Sequence, residues 1–349
     1  MAPVKLSSIA TAVPEHIIRQ SDAIAVATDI YGSKLHGFNR LAAVFQNAGI
    51  RERHSVRPLS WFYEPHGWAE RMDAYVDGAS KLFIDVATRA IGQAELTAGD
   101  IDCVVVASTT GFATPSIEAR LAAQMGFRAD IVRVPLFGLG CAAGVSGFAI
   151  ASRLAEARPG TKVLFVAIEL CSLAFRLDKP TTVNVVASAL FGDGAAACIL
   201  SHDGDALAVV ESTGEHLFKD SLDVMGWSVD DTGLGIVLAQ SLPPLVRSQA
   251  GPAIEGILAR NGLRLSDIDR FVCHPGGAKV LDALEGALSL GQGTLNDERE
   301  VLANYGNMSS PTVLFVLDRA VRAGLPDRSA MIGMGPGFSA SCVTLRRAA

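Results

Sequence analysis

The stretch Val134-Pro-Leu-Phe-Gly-Leu-Gly-Cys-Ala-Ala-Gly-Val-Ser-Gly-Phe-Ala-Ile150 organises the chain. An apolar run, Val132 to Phe137, leads into it, and small residues at helical spacing, Ala142 to Ala157, lead out. The pattern places the Cys141 sulfur at or just before the first turn of a buried helix. Unpaired backbone N–H groups and the positive end of the helix dipole converge there and favour a thiolate. Gly138, Gly140 and Gly144 permit a tight turn and leave room for a substrate to approach the sulfur. A lone cysteine is more often an inert core residue, so the reading depends on what else the chain supplies.

Composition narrows the class. The 349 residues are 49% hydrophobic and only 19% charged, which suits two lobes or one large α/β unit with both faces of a sheet covered. A net charge of −6 without basic–aromatic interleaving argues against nucleic acid. The six cysteines form no C-x-x-C pair, so no metal site or disulfide framework is expected, and the thiols fit a reducing cytosol. Met1 to Pro14 lacks a charged n-region followed by an apolar h-region, and no apolar run approaches membrane-spanning length. The expectation is a cytoplasmic protein with no membrane span.

Val4–Ala12 reads as a first strand, Ser21 as the cap of a short helix, and Phe38–Ala48 as helical, with Arg40, Arg51 and Arg53 as a solvated face or a phosphate-holding rim. Pro58–Trp68 is irregular, Tyr75–Ala94 a strong amphipathic helix, and Ile101–Ser108 a buried strand. Thr109 and Thr110 follow at its carboxyl end, where α/β folds place ligands. Further strands are expected at Lys162–Glu169 and Ala195–Ser201, and a hinge at Asp203-Gly-Asp205. The second half echoes the first: Leu96-Thr-Ala-Gly-Asp-Ile-Asp-Cys-Val-Val105 matches Leu263-Arg-Leu-Ser-Asp-Ile-Asp-Arg-Phe-Val272. Two similar halves, 1–205 and 206–349, then pack together, and the site falls at their interface.

Two residues of the second half complete the chemistry of Cys141. His274 ends a buried strand in His274-Pro-Gly-Gly277, and Asn307 lies in Tyr305-Gly-Asn-Met-Ser-Ser310 before a helix. Singly they read as a polar strand end and a helix cap. Jointly, a histidine can deprotonate the thiol, the sulfur can then carry an acyl group, and histidine with asparagine can donate hydrogen bonds to an oxyanion or enolate.

Cys141 in its Gly-Cys-Ala-Ala-Gly setting, Ala189-Leu-Phe-Gly-Asp-Gly-Ala-Ala-Ala197, the His274 and Asn307 segments and Gly333-Met-Gly-Pro-Gly337 together resemble the type III polyketide synthases, the chalcone synthase-like family. The resemblance implies a thiolase-like α/β fold, five-layered αβαβα, and a homodimer without cofactors, acyl-CoA and malonyl-CoA being substrates. It implies acyl loading on Cys141, decarboxylation of malonyl-CoA against His274 and Asn307, iterative Claisen condensation and cyclisation. Phe191 matches the family's gatekeeper between CoA tunnel and cavity, Gly226 a small wall residue, and Arg40 a basic residue of the CoA-binding helix. Thr109, Thr110, Ser309 and Gly277 fall beside the reacting centre. Thr114 stands where plant members carry a Met that reaches into the partner's cavity.

Cys171, Ala174 and Ile236 take positions that hold a Thr, a Thr and a Phe in plant chalcone synthases. The exchange removes polar anchors for an aromatic starter and leaves a greasier space, worth about 0.8 kcal/mol per buried CH₂. Asp223-Val-Met-Gly-Trp227 also resembles bacterial members that make alkylpyrones and alkylresorcinols. The expectation is a medium- or long-chain acyl starter, on CoA or on acyl carrier protein. A small or aromatic starter giving a chalcone-, phloroglucinol- or tetrahydroxynaphthalene-type product stays open. So does a single-condensation ketoacyl synthase, although that class carries a His-Gln-Ala-Asn type segment where His274-Pro-Gly-Gly stands here.

Overall fold

The computed structural model describes residues 3–348; Met1, Ala2 and Ala349, the outermost residues of the two expected halves, lie outside it. The first half runs β1 (Lys5–Ala12), α1 (Gln20–Tyr31), α2 (Trp68–Gln93), β2 (Cys103–Ala107), α3 (Ile117–Met125), β3 (Val132–Leu136), α4 (Ala143–Ala157), β4 (Val163–Leu170), α5 (Thr182–Leu190) and β5 (Asp193–Ser201). After the Asp203–Asp205 segment come β6 (Ala208–Leu217), a separate ribbon (Met225–Asp230 paired with Gly233–Leu238) and α6 (Leu242–Ala259). Then follow β7 (Arg270–Cys273), α7 (Ala278–Ala287), α8 (Asn296–Tyr305), α9 (Thr312–Ala323), β8 (Arg328–Gly335) and β9 (Ser339–Arg347).

The nine strands form one sheet in the order β7-β8-β9-β6-β1-β5-β4-β2-β3. The duplication is written in that order. β1-β5-β4-β2 and β6-β9-β8-β7 share one pattern, two antiparallel pairings followed by a parallel one. They meet only where Lys5 faces Val209 and Leu6 faces Ala208. The echoed segments make the same local device: the Asp100 carboxylate accepts from the Thr97 N–H at 2.8 Å and that of Asp267 from the Arg264 N–H at 2.9 Å, each before a buried strand.

Burial builds five layers. β4 and β5 are buried along their whole length, as strands covered on both faces must be. The α2 helix lies on one side of the first half-sheet, α6 and α7 on the far side of the second. The central helices α4 and α9 fill the space between through Val145, Phe148, Val313 and Leu317. This is the αβαβα arrangement.

Local differences have local causes. Ser21 is not the cap of helix α1: the helix starts at Gln20, its N-cap residue is Arg19, which makes no side-chain cap bond, and the Ser21 hydroxyl, already inside the first turn, donates to Asp22. Phe38–Ala48 is two short helices, Phe38–Leu41 and Ala43–Asn47. Within 58–68 a 3-10 turn, Leu59–Tyr63, buries Phe62. The halves also differ where it matters: β8 and β9 are joined by a tight turn, whereas residues 171–192 intervene between β4 and β5.

Candidate active site

The chain puts Cys141 in a 3-10 turn, Gly140–Ala142, that runs directly into α4. Gly144 is needed there for a reason other than substrate access: a Cβ would sit 2.2 Å from the Ser310 carbonyl oxygen. Its absence lets α4 of the first half lie against the loop that carries Asn307. His274 follows β7 directly, its N–H donating to the Ile332 carbonyl at 2.8 Å. Asn307 is fixed by a backbone bridge to the Phe191 segment, with Asn307 N–H to Leu190 O at 2.8 Å and Gly192 N–H to Asn307 O at 3.0 Å. The three residues reach one cavity of about 630 Å³, to which both halves contribute.

Side-chain bonds orient the groups. Asn307 Oδ1 accepts from the Ser309 N–H at 2.7 Å, and Nδ2 donates to the Gly276 carbonyl at 3.2 Å. The Cys141 thiol donates to Ser309 Oγ at 3.4 Å. His274 is 5% exposed, and neither ring nitrogen has a hydrogen-bond partner among the described residues. A buried polar group without a partner is costly, and here it borders the cavity.

Electrostatics correct the expected resting thiolate. Burial pushes the Cys141 thiol up to about 11; the nearby Glu169 carboxyl adds to this and the Ser309 hydroxyl opposes it. Burial alone pulls the His274 imidazole down to about 4. The helix start by itself therefore does not hold a thiolate. Behind the sulfur, Glu169 is fully buried and accepts from the Thr109 N–H at 2.9 Å, Thr110 Oγ1 at 2.8 Å and Ser310 Oγ at 3.2 Å. Burial raises its carboxyl to about 7 against those bonds.

Thr109, Thr110, Cys171, Phe191, Gly226 and Ile236 line the same cavity, as do Gly277, Ser309 and Arg40. Ala174 does not. The 3-10 turn Cys171–Ala174 carries it into an annex of about 70 Å³ walled by Ile18, Leu59 and Phe62, with Cys171, Phe191, Trp227 and Ile236 shared between the two spaces. Of the three arginines, Arg40 alone reaches the rim. Arg51 pairs with Glu300 and Asn304, and Arg53 is buried against the Ser188 carbonyl and Gln20. Thr114 is exposed and stands outside this cavity.

Sequence reasoning missed Lys279, an exposed cation on the rim near the start of α7. A lysine in a first helical turn opposes the helix dipole, a signal available in Gly277-Ala-Lys279. It also missed Trp227 as a wall shared with the annex. Among the described residues no group of His, Cys, Asp or Glu could hold a metal ion, and no helix is long and apolar enough to cross a membrane.

Comparison with known proteins fits this geometry. The N-terminal domain of the chalcone and stilbene synthases matches residues 2–204, and their C-terminal domain residues 210–346. A 1,3,6,8-tetrahydroxynaphthalene synthase of Streptomyces peucetius is 36% identical over 350 residues, covering 98% of this chain and 92% of its own. An alpha-pyrone synthesis polyketide synthase-like protein of Mycobacterium tuberculosis, Pks18, is 30% identical, covering 96% of this chain and 88% of its own. The crystal structure of the Streptomyces coelicolor tetrahydroxynaphthalene synthase, a bacterial type III polyketide synthase, superposes with a TM-score of 0.94 at 30% identity and 99% coverage of each chain. The chain belongs to the chalcone and stilbene synthase family: it is a type III polyketide synthase, an acyltransferase working by decarboxylative condensation with malonyl-CoA.

Proposed function

We propose that the chain loads a medium- or long-chain acyl-CoA on Cys141, extends it with malonyl-CoA and closes the product to an alkylpyrone or alkylresorcinol. The sulfur attacks the acyl carbonyl as His274 takes the thiol proton, and CoA leaves. Malonyl-CoA then loses CO₂, and the enolate oxygen is held by donors from His274 and from Asn307 Nδ2, whose other end is occupied by Ser309. The enolate carbon attacks the acyl carbonyl and displaces the sulfur, which is ready for the next round. Arg40 and Lys279 hold the CoA phosphates at the rim.

One observation carries the starter assignment: the main cavity shares its apolar wall with the annex, whose lining includes Ile18, Val26, Leu59, Phe62 and Phe175. An acyl tail gains about 0.8 kcal/mol for each CH₂ buried there. The 36% identical tetrahydroxynaphthalene synthase favours a second reading, a product built wholly of two-carbon units without a long starter. The protein acts as a homodimer of chains, each made of halves 1–205 and 206–349, and a cytoplasmic setting fits its free thiols. Pure protein incubated with malonyl-CoA and acyl-CoA starters of increasing length tests the reading by product mass. Products retaining an alkyl tail support it; a single aromatic product independent of the starter selects the second reading. The same acyl groups on carrier protein test the alternative donor.

A further inference from the structure

The ribbon Met225–Asp230/Gly233–Leu238 walls the cavity through Met225, Gly226, Trp227 and Ile236, yet its strands pair only with each other. No ladder bond to the main sheet fixes its distance from the site. Its tip is tied instead to residues 171–192, the insertion that the second half lacks. Arg176 is 1% exposed, and its guanidinium donates to Asp178 at 2.7 and 2.6 Å, to Asp230 Oδ1 at 3.1 Å and to the Thr232 hydroxyl. The Lys179 ammonium donates to the other Asp230 oxygen. These contacts, Lys179 foremost, hold the Asp230 carboxyl well below the usual carboxylate range.

Among the described residues, every hydrogen bond between residues 225–238 and the rest of the chain runs through this cluster. Two cations and two anions balance, so the cluster is closed on itself and offers no charge to a ligand. Its position is informative. Ala174, Phe175 and Arg176 line the annex from one side, and Trp227 and Ile236 of the ribbon form its partition from the main cavity. We propose that Arg176, Asp178, Lys179 and Asp230 form a specificity-determining latch: by holding the ribbon tip against the insertion they set the depth of the annex, and with it the length of acyl chain admitted. These are positioning residues and touch no reacting atom. The inference rests on the reading that the annex takes the starter tail.

The test compares Asp230→Asn and Lys179→Gln with Asp230→Glu across a panel of saturated acyl-CoA starters. Lys179→Gln leaves Arg176 paired and guards against misfolding of the first variant. With the latch loosened, the kcat/KM of a starter two methylenes longer than the parent's best rises about tenfold relative to that best starter. Asp230→Glu restores the parent profile, and the thermal midpoint serves as the structural control. An unchanged starter profile in folded Asp230→Asn and Lys179→Gln enzymes overturns the latch. Ala174→Leu in an otherwise unaltered chain separates the two ideas. If filling the annex leaves the starter profile as it was, the annex reading fails; if it shortens the profile while the latch variants do not move it, the latch alone fails.

Discussion

The Ser309 N–H donates to Asn307 Oδ1 at 2.7 Å, with Ser309 itself held at φ +60°. The left-handed conformation costs a non-glycine residue about 1 kcal/mol or more, and it decides which end of the amide faces the cavity. With Oδ1 occupied and one Nδ2 proton given to Gly276, one donor remains for a ligand oxygen. Asn307→Ala removes that donor while leaving the Cys141 turn intact. Release of CO₂ from malonyl-CoA is expected to fall about 10²- to 10³-fold, while mass spectrometry still finds the acyl group on Cys141. Equal loss of both steps would mean that Asn307 only supports the fold.

The thiol supplies a second expectation. Beside a neutral imidazole, burial sets Cys141 at about 11, so its thiolate fraction at pH 7 is on the order of 10⁻⁴. In the proposed mechanism His274, which lines the same cavity, takes that proton. In His274→Ala, alkylation of Cys141 by iodoacetamide should be slow at neutral pH and climb about tenfold per pH unit toward pH 10. The parent should react faster at pH 7. Coincident pH profiles would show that His274 does not share the proton.

How far the sequence reached follows from what each residue answers to. Strands such as Val163–Leu170 are legible because burial on both faces leaves an apolar run, unbroken from Val163 to Ile168. The duplicated halves are legible because Thr97–Asp100 and Arg264–Asp267 repeat one short-range device. Cys141, His274 and Asn307 could be nominated by residue type and turn setting, but the approach of the Cys141 and Asn307 segments depends on long-range packing of Gly144 on Ser310. Which of the two spaces Ala174 enters is not legible, because a single 3-10 turn decides it. Arg176 pairs locally with Asp178, but its proposed role depends on Asp230, 54 residues away, which no local pattern signals.

At the rim, Arg40 and Lys279 are both exposed cations outside any ion pair among the described residues. In the proposed binding mode they hold the CoA phosphates and touch no reacting atom. Substituting either by Ala should raise KM for CoA thioesters about three- to tenfold with kcat nearly unchanged, the mark of binding shared by ground and transition states. Short pantetheine thioesters, which lack the nucleotide phosphates, should be indifferent to both changes. A fall in kcat instead would place these residues in the chemistry.

Glu169 gives a stability prediction whose sign follows from its burial. Its carboxyl sits at about 7 in the folded chain against 4.5 ordinarily, so the folded state retains a proton that the unfolded state has released. The stability it contributes is complete below about pH 4.5 and is lost as pH rises through 7, up to about 3 kcal/mol. Glu169→Gln keeps the shape: the amide oxygen can accept from Thr109 and Thr110, and the amide nitrogen can donate to the Ser310 hydroxyl. Urea unfolding should find the variant more stable than the parent at pH 8.5 and no more stable at pH 4.5. Asp193 and Glu298, also raised by burial to about 6 and about 7, tilt both curves alike, so the difference between the curves isolates Glu169. Curves that stay parallel from pH 4.5 to 8.5 would mean the carboxylate is ionised without penalty beside the thiol.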